Sequence, residues 1–233
     1  MISVENVSKS FDEVLLFKDL SLHIHEGASH VLIGPSGAGK SVLLKMIAGL
    51  MPYDSGRIEV KSKNVSMLFQ KNALFDSFSL EENLLFPLRE RKKMTGREAL
   101  KRAHHFLDEV GLLQSKDLLP DEISGGMQKR LGIARALVIE PEVMLYDEPT
   151  AGLDPITSRI IADLIISLRK EVRSTLLVVT TDMFRARQLG DEIWLLAQGQ
   201  LSHAGTPDTI AQNPDARVKQ FYYGFSKGPL TSQ

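Results

Sequence analysis

The chain has 233 residues, 43% of them hydrophobic, and a formal net charge of −1. That length and apolar content suffice for a full-sized core, as one large domain or as a core with a subdomain, and the near-neutral balance argues against a strongly basic nucleic-acid-binding surface. The absence of cysteine excludes a disulfide framework and thiolate metal sites and agrees with a cytosolic compartment.

In chain order, residues 1–25 carry Glu5, Lys9, Asp12, Glu13, Lys18 and Asp19 among apolar positions, so no signal peptide is expected there. No apolar run anywhere approaches the ~20 residues of a membrane span; work at a membrane would need another subunit as anchor. Residues 2–7 and 20–24 alternate as strands, with Phe11 expected in the loop between them, either as a core residue or as a ring that stacks on a base. His23 and His25 share a strand face and read as solvated or hydrogen-bonded surface groups. The strand His30–Ile33 then meets Gly34-Pro35-Ser36-Gly37-Ala38-Gly39-Lys40-Ser41, followed by a helix from Ser41 through Val42 to Ala48. A strand, a glycine-rich loop and a helix start form a phosphate nest: glycines let consecutive N–H groups converge on one anion, and the helix adds its positive end. Lys40 reaches the β- and γ-phosphates of a nucleoside triphosphate, and Ser41 ligates Mg²⁺.

Strands are expected at Arg57–Val60 and Val65–Phe69, with Gln70 at the end of the second, where ligands are met in an α/β sheet. The texture changes from 71 to 125. Phe75, Phe78, Leu80, Leu84, Leu85, Phe86 and Leu88 crowd a segment expected to break at Pro87, which is an insert's own small core, a docking patch, or both. The run Arg89–Lys93 reads as a solvated helix face, with anionic lipid or a partner as the alternative. Thr95 and Glu98 have capping-box spacing for a helix to about Val110, on which His104 and His105 diverge and make a poor metal pair.

Ser124-Gly125-Gly126-Met127 opens a second helix suited to an anion, with Lys129 and Arg130 in the same region. That helix stops before Pro141, and the apolar strand Val143–Tyr146 exits into Asp147 and Glu148. In a chain with a phosphate loop, this pair suits Mg²⁺ at Asp147 and an attacking water at Glu148. A turn at Ala151–Pro155 carries Asp154, a helix spans about 156–170, and the strand Thr175–Thr180 ends at Thr181-Asp182. A further helix and two closing strands, near 193–197 and 199–202, complete the alternation, which predicts a parallel sheet covered by helices. The tail from Asn213 to Gln233 carries Phe221-Tyr222-Tyr223 and is expected either to fold over a subunit face or to stay mobile.

Together these segments resemble the nucleotide-binding subunit of an ATP-binding cassette (ABC) transporter over residues 2–210. Walker A matches Gly34–Ser41, the glutamine loop Gln70, the signature motif Ile123–Met127, Walker B Asp147 with catalytic Glu148, and the D-loop Ala151–Asp154. The resemblance implies an α/β P-loop NTPase fold: a RecA-like core (1–70 and 131–210), an antiparallel β subdomain and a helical subdomain (71–130). It also implies ATP and Mg²⁺ as ligands, with Phe11 stacking on adenine, Gln70 at the metal, and Ser124, Gly125, Gly126 and Asp154 facing the nucleotide of a second copy packed head to tail. A membrane permease subunit would dock on the helical subdomain, at the cytoplasmic face of the inner membrane. Within the family the chain most resembles the ATPases of Mla-type phospholipid-trafficking systems, whose partners carry MCE domains. Phe69-Gln70, Ala73–Asp76, Glu82-Asn83, Phe86–Glu90, Asp154–Thr157 and the tail Asn213–Phe221 carry that likeness.

Two positions depart from the family pattern. Met127 stands where the signature usually ends in glutamine, and Thr181 stands where a switch histidine is expected before the aspartate. Threonine offers a shorter, neutral hydroxyl in place of an imidazole. Three readings follow: a slow ATPase using Glu148, Gln70 and Thr181; a homodimer that mainly binds ATP and signals closure; or a heterodimer whose partner supplies one competent site. An importer of another small solute is the main functional alternative. Soluble relatives in DNA repair or translation would need a long coiled-coil insert or two cassettes in one chain, and this chain has neither.

Overall fold

The computed structural model describes residues 1–231; the last two residues of the expected tail, Ser232 and Gln233, lie outside them. Its centre is a six-stranded sheet in the order β5-β6-β7-β3-β8-β9. The strands are β3 (Ser29–Ile33), β5 (Val65–Leu68), β6 (Val143–Asp147), β7 (Thr175–Val179), β8 (Glu192–Ala197) and β9 (Gln200–Gly205). All neighbours are parallel except β8 and β9. β3, β6 and β7 are buried along their whole length, which is why they read as continuous apolar runs.

Successive side chains point to opposite faces, so each strand feeds two cores. Leu32, Val143, Leu145, Leu177 and Val179 join one cluster with Leu43 and Leu44 of α1 (Lys40–Ile47). That cluster is closed by an antiparallel sheet of β1 (Ile2–Phe11), β2 (Val14–Ile24) and β4 (Ser55–Val60), in the order β2-β1-β4. Val31, Met144, Tyr146 and Val178 belong to the other cluster. It takes in α2 (Leu80–Lys92), α3 (Gly96–Glu109), α4 (Gly125–Leu137), α5 (Pro155–Val172) and α6 (Met183–Leu189).

Several local expectations need correction. Phe11 is the last residue of β1, not a loop residue, because β1 and β2 run on to a tight turn at Asp12 and Glu13, both with positive φ. Pro87 does not break the chain: α2 passes through it, and burial of Leu80, Leu84, Leu85 and Leu88 outweighs the one missing backbone bond. Thr95 precedes α3 but makes no side-chain cap, since Gly96 at φ 67° turns the chain out of capping-box geometry. The capping box lies one helix earlier, where Ser79 and Glu82 bond each other's backbone N–H groups. α4 spans Gly125–Leu137 without a break, and the helical layer shares one continuous core with the sheet.

The expected tail is largely folded against the sheet. α7 (Ala216–Tyr223) buries Val218, and Arg217 donates to Gln200 and Ser202 of β9. Buried Gln220 gathers the following loop, donating to the Phe225 carbonyl and accepting from the Leu230 amide. His104 and His105 contact different carboxylates, Glu81 and Glu171. Among the described residues no helix is long and apolar enough to cross a membrane.

Candidate nucleotide site

In the parallel part of the sheet, β5, β6, β7 and β3 are consecutive neighbours, so their C-terminal ends share one edge. Gln70, Asp147 with Glu148, Thr181 and the loop from Gly34 leave the sheet along that edge, where open α/β sheets meet their ligands.

The loop conformation has identifiable causes. Gly34 sits at φ 149°, and a Cβ there would lie 2.0 Å from the Leu196 carbonyl oxygen of β8. Gly39, at φ 96°, packs against Leu16 and Phe17 of β2, so the antiparallel sheet buttresses the loop from outside. Gly37 also has positive φ, but nothing lies within 4 Å of its added Cβ. Ser36 and Gly37 are exposed, and Pro35, Ala38 and Val42 are partly buried around them.

α1 begins at Lys40, which is almost fully buried. Its Nζ donates to the carbonyls of Gly34 at 2.8 Å and Pro35 at 2.9 Å. Burial lowers its pKa below the ordinary lysine value, and the charges of Glu148 and Asp147 oppose that shift. Ser41 Oγ donates to Asp147 Oδ1 at 2.8 Å, and Asp147 is itself buried. Glu148 is half-buried at φ 49°, with its amide bonded to the Val179 carbonyl of β7 at 2.9 Å. A non-glycine residue held in the left-handed region between two strand ends is fixed by its surroundings rather than by preference. Thr181 and Gln70 are exposed at the ends of β7 and β5.

The other expected residues lie elsewhere. Ser124 caps α4 and is exposed with Gly125, while Asp154 caps α5 through the amides of Ile156 and Thr157, both at 3.0 Å. The Thr157 hydroxyl and those amides hold the Asp154 carboxyl below the usual aspartate range. Ser124, Gly125, Gly126 and Asp154 line one 580 Å³ cleft, and none of Gly34–Ser41 lines it. Phe11, 44% exposed, stands at the β1–β2 tip with Lys9 Nζ 5.1 Å from its ring centre. Within that hairpin it is Leu16 and Phe17 that touch the loop at Gly39, a role that alternation alone did not reveal. Of Lys129 and Arg130, expected near the α4 anion end, Arg130 lines the same cleft as Ser124 while its Nη1 donates to the Val110 carbonyl at 2.5 Å, and Lys129 Nζ donates instead to the Gln70 carbonyl at 2.6 Å.

The donors fit the ligands their pattern implies. A buried ammonium on two carbonyls and a hydroxyl–carboxylate pair are groups a triphosphate and a hard cation can take over without rebuilding the fold. Among the described residues no three of His, Asp or Glu converge as a cage, whereas the sparse oxygen pair Ser41–Asp147 suits Mg²⁺ completed by phosphates and water.

Fold and edge together define a P-loop nucleoside-triphosphate-binding protein. The profile of the ABC transporter family matches residues 17–151, and the chain belongs to that family. It is an ATP-binding and ATP-hydrolysing ABC transporter subunit. It is 36% identical to the probable ribonucleotide transport ATP-binding protein mkl of Mycobacterium leprae, over 98% of this chain and 70% of that protein. It is also 36% identical to the chloroplastic protein trigalactosyldiacylglycerol 3 of Arabidopsis thaliana, over 99% and 75%. The intermembrane phospholipid transport system ATP-binding protein MlaF of Escherichia coli matches at 33%, over 99% and 91%. Among solved structures, a dimeric bacterial ABC transporter cassette superposes with a TM-score of 0.79 at 32% identity, covering 87% of this chain and 97% of that one. The cbiO1 subunit of Clostridium perfringens superposes at 0.82 with 27% identity, over 91% and 90%.

Proposed function

We propose that two copies of this chain pack head to tail and power phospholipid transport through a membrane permease, from the cytoplasmic face of the inner membrane, with an MCE-domain lipid-binding protein in the assembly. The observation that carries the dimer is the separation of the two half-sites. Ser124, Gly125, Gly126 and Asp154 share a cleft that excludes the phosphate loop, so one chain alone offers each nucleotide half of its contacts. The solved relatives include dimeric cassettes, one bound to ADP and Pi. The lipid reading rests on the printed functions of relatives such as MlaF. The mycobacterial relative, named for ribonucleotide transport at similar identity, favours a second reading: the same motor serving another solute. No nucleic-acid partner is proposed.

The chemistry follows from the edge. Lys40 swings from its backbone carbonyls to the β- and γ-phosphates, Gly34–Val42 wraps them with amides, and Phe11 supports the adenine. Mg²⁺, held by Ser41, Asp147 and Gln70, would neutralise charge on the phosphates. Glu148 takes the proton from the attacking water as its oxygen bonds the γ-phosphorus and the bond to the β-phosphate oxygen breaks, releasing ADP. Thr181 donates a single neutral hydrogen bond to the γ-phosphate, which leaves the site slower than one with an imidazole there.

The permease would dock at a 470 Å³ groove between sheet and helical layer, lined by Leu50, Met67, Phe86, Arg91 and Arg135 among others. Phe86 of that lining clusters with Phe75 and Phe78 beside the groove, with ring centroids 4.8–5.9 Å apart. The test is Mg²⁺-dependent phosphate release by the purified protein, alone and with its membrane subunit. Native protein should turn over, Glu148→Gln should lose about a hundredfold or more, and Thr181→His should run faster than native. A native rate no higher than Glu148→Gln would defeat the homodimeric motor.

A further inference from the structure

The loop that follows Gln70 is held in a costly shape. Asn72 and Ala73 are consecutive non-glycine residues with positive φ, 59° and 50°, a conformation that persists only where neighbours enforce it. One face of α4 supplies that enforcement at helical spacing. Lys129 Nζ donates to the Gln70 carbonyl at 2.6 Å. Gly132, one turn on, lies so close that an added Cβ would meet Leu68 at 3.0 Å and Asn72 at 3.1 Å. Arg135 donates to the Ala73 carbonyl and stands 4.4 Å above the Phe75 ring. Lys129 is only 6% exposed and, among the described residues, has no salt bridge within 4 Å. Burial disfavours this ammonium more than the nearby charges of Asp147 and Glu148 favour it, so a lysine there needs a reason beyond packing.

We infer that Lys129 is a positioning residue: it fixes the Gln70 backbone at the sheet edge and ties that loop rigidly to the helix whose other end carries Ser124. The same α4 then touches two places at once, the loop beside its own chain's metal donors and the cleft that faces the second copy. A displacement at Gln70 is delivered to Ser124 along one helix rather than through a hinge. This rests on the assignment of Gln70 to the magnesium site, but the latch itself can be tested without nucleotide.

Lys129→Met keeps the stem and removes both donor and charge, whereas Lys129→Gln keeps a donor. The first readout is amide hydrogen exchange over residues 70–75 in the protein without nucleotide. Lys129→Met should speed it about tenfold, the loss expected for a hydrogen bond from a charged donor, while Lys129→Gln restores most of the protection. The second readout is the Mg²⁺ concentration for half-maximal ATP hydrolysis, which Lys129→Met should raise about tenfold while affinity for ATP in EDTA stays within about twofold of native. The melting temperature of Lys129→Met should hold or rise, because a buried charge has gone. Unchanged exchange in a folded Lys129→Met protein overturns the latch, as does equal loosening in both variants. Faster exchange with an unchanged Mg²⁺ requirement keeps the latch and overturns the metal assignment of Gln70.

Discussion

At the scale of single residues, the glycines of the two glycine-rich helix starts serve opposite ends. Gly34 is required by the fold itself, because any side chain would drive into the Leu196 carbonyl. Gly34→Ala should therefore destabilise the protein by about 3 kcal/mol or more in urea unfolding, whether or not ATP is present. Gly125 is the reverse: it opens α4 with ordinary φ and nothing within 4 Å. Gly125→Ala should stabilise the fold by up to about 1 kcal/mol yet cut ATP hydrolysis at least about tenfold through loss of close approach. Both motifs were legible in the sequence as glycine-rich helix starts. Which glycine answers to the chain and which to a ligand was not, because the obstructing carbonyl of Gly34 lies 162 residues away, as the numbering to Leu196 shows.

Among elements, the helical layer departs most from the sequence pattern. Pro87 and the Thr95–Glu98 spacing were strong local signals, and both were overridden, one by burial of α2 and the other by the φ of Gly96. What orders the segment before α2 is Asn83, fully buried. Its amide group donates to the carbonyls of Phe75, Phe78 and Ser79 and accepts from the Phe75 amide. A polar residue in a helix that also carries Glu81, Glu82 and Arg89 gives no advance notice of such a role, since its partners are loop backbone. Asn83→Leu strands those groups and should cost about 2–4 kcal/mol, read by thermal melting, and should weaken binding at the proposed permease docking face. At the other end of the chain, Arg217 bonded to Asp215 keeps that carboxyl below its ordinary value, and Asp215 also caps α7. A depressed carboxylate contributes stability above about pH 3.8 and loses it as pH falls through the folded value. Asp215→Asn should thus cost about 1 kcal/mol at pH 7, small because the pair borders solvent. The gap from native should close below about pH 3.8 in acid titrations of stability.

For the whole molecule, the alternation of strands and helices announced the parallel sheet, and four of the expected motifs fall along one edge of it. Hidden from pattern alone were the strand order and the partnership of β1 with β4 across some fifty residues, because a strand's periodicity does not name its neighbour. If each nucleotide is shared between copies, Lys40→Met and Ser124→Arg proteins should each be inactive alone. Mixed, they should regain phosphate release, since one heterodimeric interface then joins an intact loop to an intact Ser124; no recovery on mixing would mean that each chain works alone. The sheet order also bears on how the molecule is made. β3 emerges within the first 33 residues, yet its two ladder partners are β7 and β8, which begin at Thr175 and Glu192. The phosphate loop therefore cannot be set in place during early synthesis. β3 waits as an unpaired apolar strand until β7 and β8 exist, and closing so distant a contact is slow. A chain stopped before Thr175 would carry every residue of the loop but neither ladder partner of β3, so capacity for ATP should arise only once β7 and β8 have been made, all at once rather than by degrees.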